Sequence, residues 1–315
     1  MTQPADNHHR ALLKGAPLTQ LERLSYIDFR LYFLGELRRA DLVTRFGTGP
    51  AGATRDIAMY REIAPTNLKF DAGGKVYVPS DTFEPLFEHT PQRTLTALSQ
   101  GFGQGVGEEQ SPLLRCEFPT ALSQPRMSVL APITRAIHSN KAIRLAYYSM
   151  SSGKSEREIV PLALVDSGVR WHVRAFDRKS AEFRDFVFSR MEQPTLLENA
   201  AVLPEETAEY DVQWSRIVEL ELVPHPRHRH AQIIQRDYDM PDGVLRVKVR
   251  AANAGYILRR WNVDCSPDHC LEGPEYTLWL RDPLVLYGVT NAVLAPGYRN
   301  PKSIKVAPHT TKPFF

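Results

Sequence analysis

The strongest constraint on this 315-residue chain lies near its start, where three short helical stretches are followed at once by a glycine-rich hairpin. Leu18, Leu21, Leu24, Ile27, Leu31 and Leu34 recur at helical spacing and predict one amphipathic helix, stopped at Gly35. A second helix is expected from about Arg38 to Phe46, with Leu42, Val43 and Phe46 facing inward. Gly47-Thr48-Gly49-Pro50 breaks the chain, and a third helix follows from about Ala51 to Ile63, closed by Pro65. Two strand-like runs, Leu68-Lys69-Phe70 and Val76-Tyr77-Val78, flank Asp71-Ala72-Gly73-Gly74-Lys75, a strong turn signal.

This is the element order of a winged helix-turn-helix. A helix that follows a tight turn can enter the major groove of DNA, while the hairpin reaches phosphate or the minor groove. Arg38, Arg39, Arg45, Arg55 and Arg61 outnumber Asp41, Asp56 and Glu62 in this segment. Arg39, Thr48, Gly49, Ala51, Gly52, Thr54 and Arg55 are expected to face the duplex, with Lys69 and Lys75 as wing contacts. Small residues let the backbone approach, a helix N-terminus favours phosphate, and Arg55 can grip a guanine or a phosphate. The same pattern also suits a small structural or protein-binding domain, with Arg55 and Asp56 in internal salt bridges. The residues alone leave both readings open.

Hydrophobic residues at 43% and charged residues at 24% exclude a disordered tail protein. A net charge of +3 is too small to mark a nucleic-acid binder by itself. Cys116, Cys265 and Cys270 are scattered and odd in number, so a reducing cytoplasm is expected. The first ten residues lack an apolar leader, and nowhere do about 18 apolar residues run together, so no membrane span is expected. From Pro91 to Pro125 the chain reads as an irregular connection containing Gly101, Gly103, Gly105 and Gly107.

After a short helix at about Ala131 to Ser139, strands are expected at Ala142 to Ser149, Glu158 to Val165, Trp171 to Phe176 and Phe183 to Phe188. Alternation puts Arg170, His172 and Arg174 on one strand face. Beside Tyr147, Ser149 and Arg157 of a neighbouring strand they would form a basic concavity suited to phosphate, a nucleotide or single-stranded nucleic acid. Residues 141–190 hold ten basic and six acidic side chains, an excess larger than that of the whole chain. A half-solvated sheet whose arginines pair with those acids fits equally well, with Arg178 and Lys179 in a solvated turn. Further strands are expected at Ile217 to Val223, Leu245 to Val249 and Tyr276 to Leu280, then a helical patch at Leu284 to Ala295.

The arrangement Tyr147-x-Ser149, Arg157-x-Ile159-x-Pro161, Arg170-Trp171-His172-Val173-Arg174-Ala175, Phe183-Arg184-Asp185-Phe186 and Ser189-Arg190 resembles the WYL domain of bacterial transcriptional regulators. It is most similar to the BrxR and CapW type of repressor encoded beside phage-defence operons. Arg39-Ala40-Asp41-Leu42-Val43, Thr54-Arg55-Asp56-Ile57, the Ala64–Tyr77 region, Leu222–Pro226 and Tyr256–Trp261 extend the resemblance. The namesake triplet is Trp171-His172-Val173 here, which places a titratable donor where the wider family has tyrosine.

The resemblance implies an α+β multidomain protein. Residues 1–95 would be the winged helix-turn-helix, 96–126 a linker, 127–200 the WYL domain as an Sm-like β-barrel, and 201–315 an α/β C-terminal dimerisation domain. It implies a homodimeric repressor on an inverted-repeat double-stranded DNA operator, with a nucleotide or nucleic-acid effector. Tyr147, Ser149, Arg157, His172, Arg174, Arg184 and Arg190 are the sensor residues it implies. An RNA- or single-strand-binding accessory factor is the alternative.

No catalytic group, metal or cofactor is expected. His225-Pro226-Arg227-His228-Arg229-His230 reads as an exposed basic loop, and Cys265, His269 and Cys270 lack a second ligand pair. No nucleophile elbow, zinc-protease helix or phosphate-binding loop occurs.

Overall fold

In the computed structural model, which describes residues 13, 15–102, 112–117 and 122–300, the leucine-spaced segment forms α1 (Leu18–Phe29). Its last turn widens to a π-helix, Arg30–Leu34, which Gly35 ends in the left-handed region at φ 72°. α2 (Arg39–Phe46) and α3 (Pro50–Ile63) follow, separated by Gly47 at φ 61°. β1 (Leu68–Asp71) and β2 (Val76–Pro79) pair antiparallel, and Leu37 bridges to Tyr77 across the wing. The chain divides into two compact units, Met1–Pro119 and Thr120–Phe315.

In the first unit Leu24, Ile27, Leu31, Leu42, Ala53, Ile57, Tyr60 and Ile63 form the core. Within it lies the fully buried Asp28 carboxylate, which accepts from Tyr60 Oη (2.5 Å), Leu86 N (3.0 Å) and Phe87 N (3.4 Å) and meets His89 Nε2 at 2.9 Å. Asn67 donates to Tyr60 Oη and Glu84 O. A buried charge is tolerated only with such a shell. The shell ties α1, α3 and the segment after the wing together.

A further helix, α4 (Pro91–Gln100), crosses the boundary at which a linker was expected. Its buried positions are Thr94, Ala97 and Ser99, so no large apolar stripe betrays it in the sequence. Gly103, Gly105 and Gly107 of the expected connection lie outside the described residues.

The second unit opens with α5 (Met127–Ser139), then β3 (Ile143–Ser149), β4 (Gly153–Asp166), β5 (Trp171–Asp177), β6 (Glu182–Val187) and β7 (Met191–Leu196). They form one antiparallel sheet in the order β6-β5-β4-β3-β7. The sheet is open where an Sm-like barrel is expected: among the described residues no β6–β7 pairing joins its edges. β7 is unforeseen, because Glu192, Gln193 and Thr195 give it no apolar alternation. Val129, Ile133 and Ala136 of α5 pack against Leu145, Tyr147, Val173 and Ala175.

After α6 (Val212–Ser215), a second core gathers β8 (Ile217–Pro224), α7 (Ala231–Asp237), β9 (Leu245–Arg250), α8 (Ala251–Arg260) and β10 (Leu278–Leu280). The sheet order is β10-β8-β9. α8 is absent from the sequence reading because its buried face is Ala251, Ala252, Ala254, Gly255 and Leu258, small residues that fit close approach. A Cβ on Gly255 would run into the carbonyl oxygen of Asn291. The patch from Leu284 is two 3₁₀ turns, Pro283–Leu286 and Ala292–Leu294, separated by Gly288 at φ 74°.

Tyr60→Phe removes one donor from Asp28 without changing side-chain shape. It is expected to destabilise the first unit by about 2 kcal/mol, measured by urea denaturation. An unchanged midpoint would deny Asp28 its organising role.

Candidate functional site

The first candidate surface is the outer side of α3. Ala53, Asp56, Ile57, Tyr60 and Ile63 point into the core, leaving Ala51, Thr54, Arg55, Ala58 and Arg61 exposed along one stripe. Gly49 and Pro50 begin the helix, and Thr54 Oγ1 donates back to Pro50 O at 2.9 Å. Gly52 lies against Thr48, whose Oγ1 would be 2.5 Å from an added Cβ. Thr48 and Gly52 are therefore half-buried packing partners, while Arg39, Gly49, Ala51, Thr54 and Arg55 are exposed.

Asp56 does not neutralise Arg55. It is buried and bound by Arg23 Nε at 2.7 Å, which also fastens α3 to α1. Arg55 has no carboxylate partner among the described residues. In the wing, the Asp71 carboxylate accepts from Gly73 N (3.0 Å) and Gly74 N (3.2 Å), and Lys75 stands exposed in the left-handed region at φ 50°. Lys69 is paired with Asp81 at 3.1 Å. Ala58 and Arg61 were missed by the sequence reading, although their spacing from Thr54 and Arg55 puts them on the same helix face. Arg61 lies over the Tyr77 ring at 5.6 Å, joining α3 to the wing.

The second candidate lies on the five-stranded sheet, and here the expected basic concavity does not form. Register pairs Leu145 with Arg157, Tyr147 with Ser155 and Ile159 with Asp177, so these residues share the face that α5 covers. His172 and Arg174 alternate onto the opposite face, together with Asp185. Tyr147 is a core residue: its hydroxyl accepts from Val187 N and its ring meets Phe186 edge-on at 5.0 Å. Ser149 accepts from Ser151 N within a turn. Arg157 binds Asp177 at 2.8 Å, and Arg184 binds Glu182 at 2.8 Å. Arg178 and the exposed Lys179 stand in a turn as expected, but the Arg178 side chain is half-buried, and both Nε and Nη2 donate to Glu206 at 2.7 Å.

The face of His172 and Arg174 packs on the following segment. Arg174 is buried and forks onto Asp211, with Nε to Oδ2 at 2.7 Å and Nη2 to Oδ1 at 2.9 Å, while Nη1 reaches Asp185 at 3.1 Å. Asp211 also caps α6 by accepting from Gln213 N and Trp214 N. Tyr256 of α8 donates to Asp185 at 3.0 Å, and its ring stacks on His172 at 5.1 Å. Burial, reinforced by Asp185, pushes the Tyr256 hydroxyl pKa up.

His172 is 3% exposed and its Nδ1 has no hydrogen-bond partner among the described residues. Burial is the main cause that holds its pKa below the ordinary value; Asp185 opposes this, and Arg170 and Arg190 add to it. Arg170 is exposed and Arg190 half-buried, and neither has a carboxylate partner among the described residues. The sequence analysis does not reach the partnering of Tyr256, Asp185 and Asp211, because each acts across a distance that no local pattern records.

Among the described residues no group of three or more His, Cys, Asp or Glu side chains is placed to hold a metal ion. His225 is buried, not part of an exposed loop: Nε2 meets Asp264 at 3.1 Å and Nδ1 accepts from Arg227 N. No helix among the described residues is long and apolar enough to cross a membrane.

Three family models match in order along the chain: the BrxR transcriptional regulator winged helix-turn-helix domain at residues 19–100, the WYL domain at 128–196, and the BrxR transcriptional regulator C-terminal dimerization domain at 217–286. The chain is 34% identical to the DNA-binding transcriptional repressor CapW of Escherichia coli (strain KTE188) over 273 residues, 83% of this chain and 88% of that protein. It is 31% identical over 273 residues to CapW of Pseudomonas aeruginosa, with the same two coverages. It is 29% identical over 253 residues to CapW of Stenotrophomonas maltophilia, 78% of this chain and 84% of that protein.

A histidine whose folded pKa lies below its unfolded value of about 6.5 stabilises fully above that value and loses the contribution as pH falls. The seam between β5 and α8 is therefore expected to weaken between pH 7 and pH 5. His172→Phe keeps the stack on Tyr256 and should flatten that part of the pH dependence in thermal unfolding. An unaltered slope would show that another group carries it.

Proposed function

Because this chain belongs to the BrxR/CapW family of WYL-domain transcriptional regulators, we propose that it is a repressor. In this reading it binds an inverted-repeat operator as a homodimer and presents α3 of each winged helix to a major groove. The observation that carries the reading is the α3 stripe, where small residues flank Arg55 while the neighbouring Asp56 is occupied by Arg23. A guanidinium with no carboxylate partner among the described residues is available for a guanine edge or a phosphate. The family resemblance supports a phage-defence operon as the regulated target.

We place the effector at the rim of the β5–α8 seam. Arg170 and Arg190 flank His172 there, and the unpartnered Nδ1 offers one further polar contact. Two guanidinium groups beside a neutral imidazole suit a phosphate-bearing, nucleotide-like anion. Of the sensor residues implied by resemblance, His172 and Arg190 fit this role. Arg157, Arg174 and Arg184 are held by internal carboxylates.

Titration of the chain against an inverted repeat from its own promoter region and against random duplex, at one salt concentration, tests the repressor reading. Equal affinities would overturn it. Arg55→Ala is expected to weaken operator binding on the order of tenfold or more while leaving the dimer intact, as read by sedimentation. Lys75→Ala should lower the salt slope by about one without changing sequence preference.

Arg190→Ala is expected to leave operator affinity unchanged and to abolish its response to nucleoside phosphates and short single-stranded oligonucleotides, read by fluorescence anisotropy. A full response in the variant would move the effector site elsewhere.

A further inference from the structure

The sheet of β8, β9 and β10 has one covered face and one open face. Val218, Leu220, Leu222, Val249, Leu278 and Leu280 line the covered face, packed against Ala251, Ala254 and Leu258 of α8. The alternate residues line the open face. Register sets Ile217 opposite Arg250, Glu219 opposite Lys248 and Glu221 opposite Arg246. An acidic row on β8 thus runs beside a basic row on β9.

The two rows are not fully satisfied within the chain. Arg246 and Arg281 both reach Glu221, at 3.1 and 3.2 Å, and Arg250 donates to Trp214 O at 2.6 Å while lying over its ring. Glu219 and Lys248 are exposed and, although directly opposite in register, form no ion pair among the described residues. The rows end at an apolar corner: Ile217 is 53% exposed, Val212 70% and Leu284 64%. Arg216, next to Ile217, holds the 285–287 backbone beside it through bonds to Val285 O (3.0 Å) and Tyr287 O (2.8 Å).

We infer that a second copy of this chain docks on the open β8–β9 face, across a two-fold axis running along the strands midway between β8 and β9. Such a rotation keeps every residue at its height along the strands and exchanges β8 for β9. It lays Glu219 over Lys248 of the partner subunit and Lys248 over Glu219 of the partner subunit, with Glu221 over Arg246 of the partner subunit. Opposite-sign rows at matching heights make the face complementary to itself, which is the condition for an isologous contact. The apolar corner supplies area that excludes water. This inference rests on the dimeric-repressor reading and on the match of residues 217–286 to a dimerization domain; it adds which surface does the work.

Sedimentation equilibrium on the full chain tests it independently of DNA. Ile217→Asp is expected to weaken self-association roughly 100-fold, leaving circular dichroism and thermal unfolding unchanged. Glu219→Lys and Lys248→Glu should each weaken it roughly tenfold. The double variant should recover the dimer, because both contacts re-form with their signs exchanged; circular dichroism and thermal unfolding that stay unchanged in each single variant separate this from repaired pairing between the two opposed strands of one chain. A dimer indifferent to all three single substitutions, or a double variant no better than the single ones, overturns the inference while dimeric operator binding stands. A wild-type chain that stays monomeric at every concentration overturns the dimer itself.

Discussion

A guanidinium group does not give up its proton in a protein, so Arg174, buried on β5, must be met by carboxylates. Asp211 supplies two oxygens to it and at the same time caps α6, and Asp185 supplies a third while accepting from Tyr256 on α8. One unavoidable charge thus ties the five-stranded sheet to two elements of the following segment. The seam is polar at its centre and aromatic at its edge, where His172 stacks on Tyr256. Removing any one acid would leave a buried cation short of partners, a far larger penalty than losing a surface salt bridge.

The first unit uses the same logic with the sign reversed. Asp28 is buried, and donors from Tyr60, Leu86, Phe87 and His89 surround it. Arg23 does likewise for Asp56. With the buried acids Asp28 and Asp56 answered from inside, the outward stripe of α3 keeps Arg55 without a carboxylate partner among the described residues. The groups that stabilise the helix and the polar groups it leaves outward are separated onto two faces of the same fourteen residues.

Much of this was legible in the residues. α1, α2, α3 and the wing were readable because apolar spacing and Gly or Pro breaks are local signals, and the exposure of Ala51, Thr54 and Arg55 follows from the same period. α4 and α8 were not, since Thr94, Ala97 and Ser99 in one and Ala251, Ala254 and Gly255 in the other bury small side chains that leave no apolar stripe. The strands β3 to β6 are legible, but alternation assigns the residues on them the wrong neighbours. Alternation along β5 correctly separates His172 and Arg174 from Trp171 and Val173. It cannot say which face of β3 and β4 lies beside them.

By itself, then, the sequence determined the family, the winged helix with its α3 stripe, and the strand content of the sheet, because each is written in spacing over a few residues. Only the tertiary structure decided which arginines are free. Register across β4 and β5 sends Arg157 to Asp177, and packing of the following segment on the opposite face brings Asp211 to Arg174. Together they leave Arg170 and Arg190 acting electrostatically on His172, whose Nδ1 has no hydrogen-bond partner among the described residues. Partners twenty or thirty-seven residues apart meet through folding alone, and whether a charge is available for a ligand depends on whether such a partner has already claimed it.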